Sequence, residues 1–294
     1  MRHIYFISFS LLALTLYFEP IKELSGLTFH NELYSHFPLI PLVSLYFLIG
    51  DRKAIFMEID YSIHAGSLPM AAGVLFYWIG ISRILELNQN DYLSLMMFSY
   101  LSCFIGGFIV FYGTRVFRKA MFPLLFLVFI VPIPTPILES LIRILLIGSA
   151  NTSHAVFNIL DVPVYRDGFF FQLPQITVEV AKECSGIRST LALFITSIIA
   201  GRLYLRTGWR RIALSLCIFP ITIFKNSLRI VTITLLANYV DPTFLTNSLL
   251  HKAGGKPFFV LALLFLAPVL WFLRRSEKKN SINHGDTDPS TSYE

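Results

Sequence analysis

Three residues from separate parts of the chain could do chemistry together: Cys184, Arg229 and His251. Cys184 sits in the stretch EVAKECSGIRST, residues 179–190, flanked by Glu183, Ser185, Gly186 and Arg188 just before a long apolar run. A helix is predicted to start at Ser185 or Gly186. Its unpaired N–H groups and partial positive charge would stabilise a thiolate and donate to a developing oxyanion. The plainer reading of Cys184 is a small apolar residue packed where a helix begins.

Arg229 belongs to FKNSLRI, residues 224–230, where Lys225, Asn226 and Arg229 share one face of an apolar helix. A buried arginine costs roughly 2.5 to 3.5 kcal/mol even on the lenient insertion scale, so Arg229 should face a polar or wet cavity. The competing reading is snorkelling to the interface, which suits Lys225 better than an arginine accompanied by Asn226. His251 lies in LLHKAGGKPFF, residues 249–259. There it could serve as a near-neutral acid or base, or be an ordinary solvated loop histidine, while Gly254 and Gly255 would permit close backbone approach. A cysteine and a histidine with an arginine near the reacting carbonyl make a thiol acyl-transfer site.

The elements that must position these residues are apolar spans. Of 294 residues 55% are hydrophobic, only 14% are charged and 28 are phenylalanine. That balance excludes an ordinary soluble domain. The runs lack the alternation of a barrel, so the expected fold class is an all-α polytopic membrane protein. About eight spans are predicted, near residues 4–19, 36–50, 67–85, 92–114, 119–134, 186–204, 212–238 and 256–273.

Orientation follows from basic residues at alternate loops: Arg2, Arg52 and Lys53, then Arg115, Arg118 and Lys119, then Arg202, Arg206, Arg210 and Arg211, then Arg274, Arg275, Lys278 and Lys279. Those loops should be cytoplasmic, as should both termini. The scheme requires that residues 135–160, with Glu139, Arg143, Asn151, His154 and Asn158, form an outer amphipathic helix rather than a crossing. Residues 162–183 then read as a short extracytoplasmic β-hairpin with a turn at Asp167-Gly168. All three chemical residues fall on the same outer face. Expected organisation is N-terminal spans over 1–118, a catalytic membrane domain over 119–274 and a disordered cytoplasmic tail over 275–294.

The three cysteines, Cys103, Cys184 and Cys217, lie in or beside different apolar segments without CxxC spacing. Neither a disulfide framework nor a zinc site is suggested, and no metal or cofactor is expected. The net charge of +6 comes in short clusters between spans, which insertion topology explains better than nucleic-acid binding.

At these residues the sequence resembles the exosortase/archaeosortase family of multi-spanning membrane transpeptidases. The resemblance rests on RDGFFFQLPQITVEVAKECSGIRS, on Asn226-x-x-Arg229-Ile230, on His251 followed by Gly255 and Phe259, and on Pro132-x-Pro134. It covers about residues 120–260, and the histidine at the third position resembles the bacterial exosortase branch.

The resemblance implies a thiol peptidase and transpeptidase of the cell membrane. Its expected partners are the bilayer and exported single-pass proteins bearing a C-terminal sorting signal: a short Pro-containing motif, a transmembrane helix and a basic tail. The enzyme would cut near the motif and can transfer the new carboxyl end to an acceptor. By position Cys184 takes the nucleophile role, Arg229 the arginine role and His251 the third catalytic role. Asn226, Arg188, Gly186, Ser185, Glu183 and Gly255 are supporting candidates, with Glu183 able to pair with Lys182, Arg188 or Arg229. Two other classes compete: a transporter or channel with an anion pathway along Arg229, Lys225 and Arg188, and a scaffold for envelope polysaccharide assembly with no active site.

Overall fold

A computed structural model describes residues 2–82, 84–245 and 255–285. The chain divides into two compact units, Met1–Leu138 and Glu139–Glu294. Both are mainly helical.

In the first unit, α1 (Arg2–Leu16) and α2 (Phe18–His30) are bent by 71° about Tyr17. The Tyr17 ring is buried and its hydroxyl bonds Ser99. Next come α3 (Leu39–Gly50), the single turn α4 (Arg52–Ile55), α5 (Ile63–Ser82), α6 (Gln89–Lys119) and the short α7 (Met121–Phe126). Asn88 caps α6 by accepting the Asp91 N–H at 2.9 Å.

The tightest pair is α5 against α6, and small residues allow it. Gly66, Gly73 and Gly80 recur every seven residues along α5. A Cβ on Gly66 would stand 2.6 Å from the Gly106 carbonyl, and one on Gly73 would stand 2.8 Å from the Ser99 carbonyl. Backbones can approach this closely only without side chains between them. The Ser99 hydroxyl then reaches across to donate to the Gly73 carbonyl at 2.6 Å.

The second unit is built around α8 (Thr135–Ile159). Its inward stripe is Leu145, Ser149, Ser153 and Phe157, with Leu146 and Ala150 beside it. Three short strands follow, β1 (Tyr165–Asp167), β2 (Phe170–Gln172) and β3 (Thr177–Glu179), joined as an antiparallel sheet in that order. The expected hairpin is therefore extended by a third strand. The first reversal uses Gly168, whose φ of +58° suits a residue without a Cβ, and the second closes through Leu173 N–H to the Ile176 carbonyl at 2.8 Å, around Pro174. Phe171 and Phe157 are both fully buried, with ring centroids 5.5 Å apart. Burying each ring is worth roughly 1.5 to 3 kcal/mol and presses the sheet onto α8.

The remaining helices are α9 (Ile187–Tyr204), α10 (Gly208–Leu216), α11 (Ile218–Tyr239) and α12 (Gly255–Gly285). Leu193 of α9, Leu214 of α10, Ile218 of α11 and Ala262 and Leu266 of α12 form their shared core. At one end the Glu277 carboxylate accepts from the Thr207 and Arg206 N–H groups and lies 3.4 Å from the buried Arg210 guanidinium. Helix α12 continues through residues 275–285 of the expected tail, and 286–294 lie outside the described residues.

Among the described residues five helical stretches are long and apolar enough to cross a bilayer: Ile63–Ser82, Gln89–Lys119, Ile187–Tyr204, Gly208–Tyr239 (α10 and α11 together) and Pro257–Lys278. The count rises to seven if α1 with α2, and α7 with α8, each make one broken span. The expected eighth would have to be α3. With 12 residues it is only about 18 Å long, short of the roughly 30 Å of hydrocarbon. Outward faces are apolar, including Leu68 and Trp78 on α5 and Leu264, Trp271 and Phe272 on α12, as lipid contact requires.

Candidate active site

Cys184 is set by three local features. β3 ends at Glu179, and Val180 still donates to the Phe169 carbonyl at 2.9 Å. The chain then tightens into a 3₁₀ turn, Lys182–Ser185, in which Cys184 N–H donates to the Ala181 carbonyl at 2.9 Å. Gly186 reverses direction with φ +71° and caps α9. A Cβ there would meet Asn226 Oδ1 at 3.2 Å and Lys225 Nζ at 3.6 Å, so both backbone shape and space ask for glycine. The helix begins at Ile187, close to its expected start, and Cys184 lies just ahead of it.

The partner element is α11. Lys225 and Asn226 are fully buried and Arg229 is half-buried, so the face carrying all three turns into the protein. The Asn226 amide donates to the Cys184 carbonyl at 2.6 Å and to Ser149 Oγ on α8 at 3.0 Å. Lys225 Nζ donates to Ser189 Oγ, in the first turn of α9, at 2.6 Å. Ser153 Oγ on α8 bonds Ser227 Oγ on α11 at 3.1 Å. This polar seam joins α8, the cysteine turn, α9 and α11 inside an otherwise apolar bundle.

A cavity of about 380 Å³ lies between the sheet and α11. Cys184 and Ala181 stand at one end of the β3 side, which continues through Val180 and Glu179 to Thr177; Arg229, Ile230, Ile233 and Thr234 of α11 form the other wall. The Arg229 Nε is buried without a hydrogen-bond partner among the described residues, as is Asn226 Oδ1. Unpaired buried polar atoms are costly in a settled core, and at a cavity they are available for a ligand. Among the described residues no carboxylate pairs with Lys225 or Arg229. Lys225 and Arg229 thus bring two basic groups close to the cysteine turn, and positive charge beside a cysteine favours its thiolate.

Of the other expected residues, Ser185 is buried and its Oγ accepts from the Ile187 N–H at 3.4 Å, while Arg188 is exposed in the first turn of α9. Glu183 contributes its backbone to the 3₁₀ turn, and Gly255 opens α12. The Glu183 side chain and His251 lie outside the described residues. Sequence reasoning missed Ser149, Ser189, Thr177 and the β3 edge. The serines had a faint signal, since Ser149 and Ser153 are spaced to sit on one face of an apolar helix; β3 had none beyond its β-branched residues.

The fold and the site together define a multi-spanning membrane protein in which a cysteine at a helix start and an arginine on an apolar helix of bilayer length share one cavity. The chain belongs to the transmembrane exosortase family, whose model matches residues 28–268, most of its length. It matches no curated protein and no solved structure.

Proposed function

We propose that this protein is a cysteine peptidase and transpeptidase that processes C-terminal sorting signals of exported single-pass proteins, with its site on the extracytoplasmic face of the cell membrane. The observation that carries the reading is that Cys184 and Arg229, 45 positions apart in sequence (229 − 184), line one cavity. Family membership is consistent with it.

The Cys184 thiolate attacks the peptide carbonyl, forming the C–S bond while the carbonyl π electrons move to oxygen. The Arg229 guanidinium stabilises that oxyanion. Collapse expels the amine, which takes a proton from His251 because amines leave poorly as anions. The resulting thioester passes to water or to an acceptor amine. Asn226, by holding the Cys184 carbonyl, fixes the direction of the thiol. The hydrogen bonds of Lys225 to Ser189 in the first turn of α9 and of Asn226 to the Cys184 carbonyl hold these groups around the cysteine rather than along an ion path, which favours the peptidase over the transporter.

The test compares processing of a co-expressed sorting-signal protein by the parent, Cys184→Ala and Cys184→Ser. Both variants are expected to insert normally and lose processing, the serine because an unassisted hydroxyl is a far weaker nucleophile. Processing retained by Cys184→Ala would falsify the nucleophile assignment.

A further inference from the structure

We propose that the substrate binds as an extended segment added to the free edge of β3, as a fourth strand leading its scissile carbonyl to Cys184. The proposal rests on the peptidase reading and adds to it how the substrate is held.

β3 is the outer strand of the sheet and, among the described residues, is paired on one side only, with β2. Its register opposes Phe170 to Glu179, Phe171 to Val178 and Gln172 to Thr177. The bonds from Leu173 N–H to Ile176 O at 2.8 Å and from Val180 N–H to Phe169 O at 2.9 Å bracket that ladder. In an antiparallel pair, hydrogen-bonded and non-hydrogen-bonded positions alternate. Residues 176, 178 and 180 therefore turn their backbone groups toward β2, and Thr177 and Glu179 turn theirs to the unused edge. Both line the cavity that also contains Cys184 and Arg229.

The edge is also held open. Gln175 N–H, before β3, donates to Asn238 Oδ1 near the end of α11 at 3.3 Å, and Asn226 holds the Cys184 carbonyl at 2.6 Å. These anchors are 12 residues apart on the helix (238 − 226), or about 18 Å, the span of a strand of five or six residues. Between them lie Arg229, Ile230, Ile233 and Thr234, which face the cavity opposite β3. An unpaired strand edge, two walls and a nucleophile at one end fit one kind of occupant, an extended peptide. Main-chain bonds to Thr177 and Glu179 would set its register, and the α11 wall would take its side chains.

The prediction is a period of two. Purified full-length protein is treated with acetyl-tetraalanyl chloromethyl ketone, with its four single N-methyl isomers, and with chloroacetone as the reagent lacking a peptide. In each case the thiolate displaces chloride to leave a thioether, measured by mass on the Cys184 fragment with Cys184→Ala as blank. The tetraalanyl reagent is expected to react faster than chloroacetone. N-methylation at alternate alanines should slow it roughly three- to tenfold, the worth of one backbone hydrogen bond, and the intervening isomers should match the parent reagent. Equal rates for all four isomers, or no advantage over chloroacetone, would overturn strand addition while leaving the nucleophile intact. Failure of chloroacetone itself to alkylate Cys184 would overturn the peptidase reading, and this proposal with it.

Discussion

Asn226 is the residue on which the cysteine turn depends most directly. It is fully buried, and its amide is shared between the Cys184 carbonyl and Ser149 Oγ. Asn226→Ala removes both bonds and leaves the carbonyl without that donor, at a cost of about 1–3 kcal/mol. If Asn226 positions the nucleophile, the variant should lower the rate of Cys184 alkylation by chloroacetone as well as thermal stability. Asn226→Ala lowering stability with an unchanged alkylation rate would make it a structural residue only. The sequence singled out Asn226 through its place beside Lys225 and Arg229, but nothing in it named the Cys184 carbonyl as the acceptor. That contact spans 42 positions, and only packing creates it.

At the scale of elements, the α5–α6 pair is the most sharply defined contact of the first unit. A Cβ on Gly106 would lie 2.7 Å from the Met70 backbone nitrogen and 2.8 Å from the Gly66 carbonyl. Gly106→Leu cannot be absorbed by a side-chain rotation, because the obstacles are backbone atoms, and so it must push the helices apart. The expected result is a loss of stability on the order of 1–3 kcal/mol or more, read as a lower unfolding midpoint in detergent. Gly26, which has open space around its Cα, is the control, and Gly26→Leu should have little effect. The seven-residue spacing of Gly66, Gly73 and Gly80 stands in the sequence but went unread there. Their partner helix could not be read there, because small residues mark an interface without saying what packs against it. The third strand was missed for a related reason: three residues of Thr-Val-Glu carry too little pattern to be told from a loop until β2 lies beside them.

For the whole molecule the property that governs function is sidedness. Helix α9 has 18 residues, about 27 Å of rise, and separates the sheet and Cys184 from the basic stretch Arg202 to Arg211. If the positive stretch is cytoplasmic, the site faces outward. Single cysteines placed at the exposed Asp167 and Arg206, in a background with the native cysteines replaced, should behave oppositely toward a membrane-impermeant maleimide in intact cells. Asp167→Cys is expected to label at once and Arg206→Cys only after permeabilisation. The reverse pattern would put the candidate site on the cytoplasmic side and sink the role in processing exported proteins.

The membrane class and most of the long spans were legible in the order of residues alone, because apolar runs of bilayer length have few other stable fates. The family was legible there too, through motifs whose order survives without any knowledge of contacts. Span number was harder to read, since α1 with α2 and α7 with α8 are broken near Tyr17 and at Pro132-x-Pro134, and a hydropathy run does not show a bend. Which polar atoms meet came from packing: Asn226 on the Cys184 carbonyl, Lys225 on Ser189, and Arg229 in one cavity with Cys184 and the β3 edge. Those meetings join residues from 36 (225 − 189) to 52 (229 − 177) positions apart. Local sequence fixes where a side chain sits on its own helix, and the packing of helix on helix and sheet on helix fixes what stands opposite it.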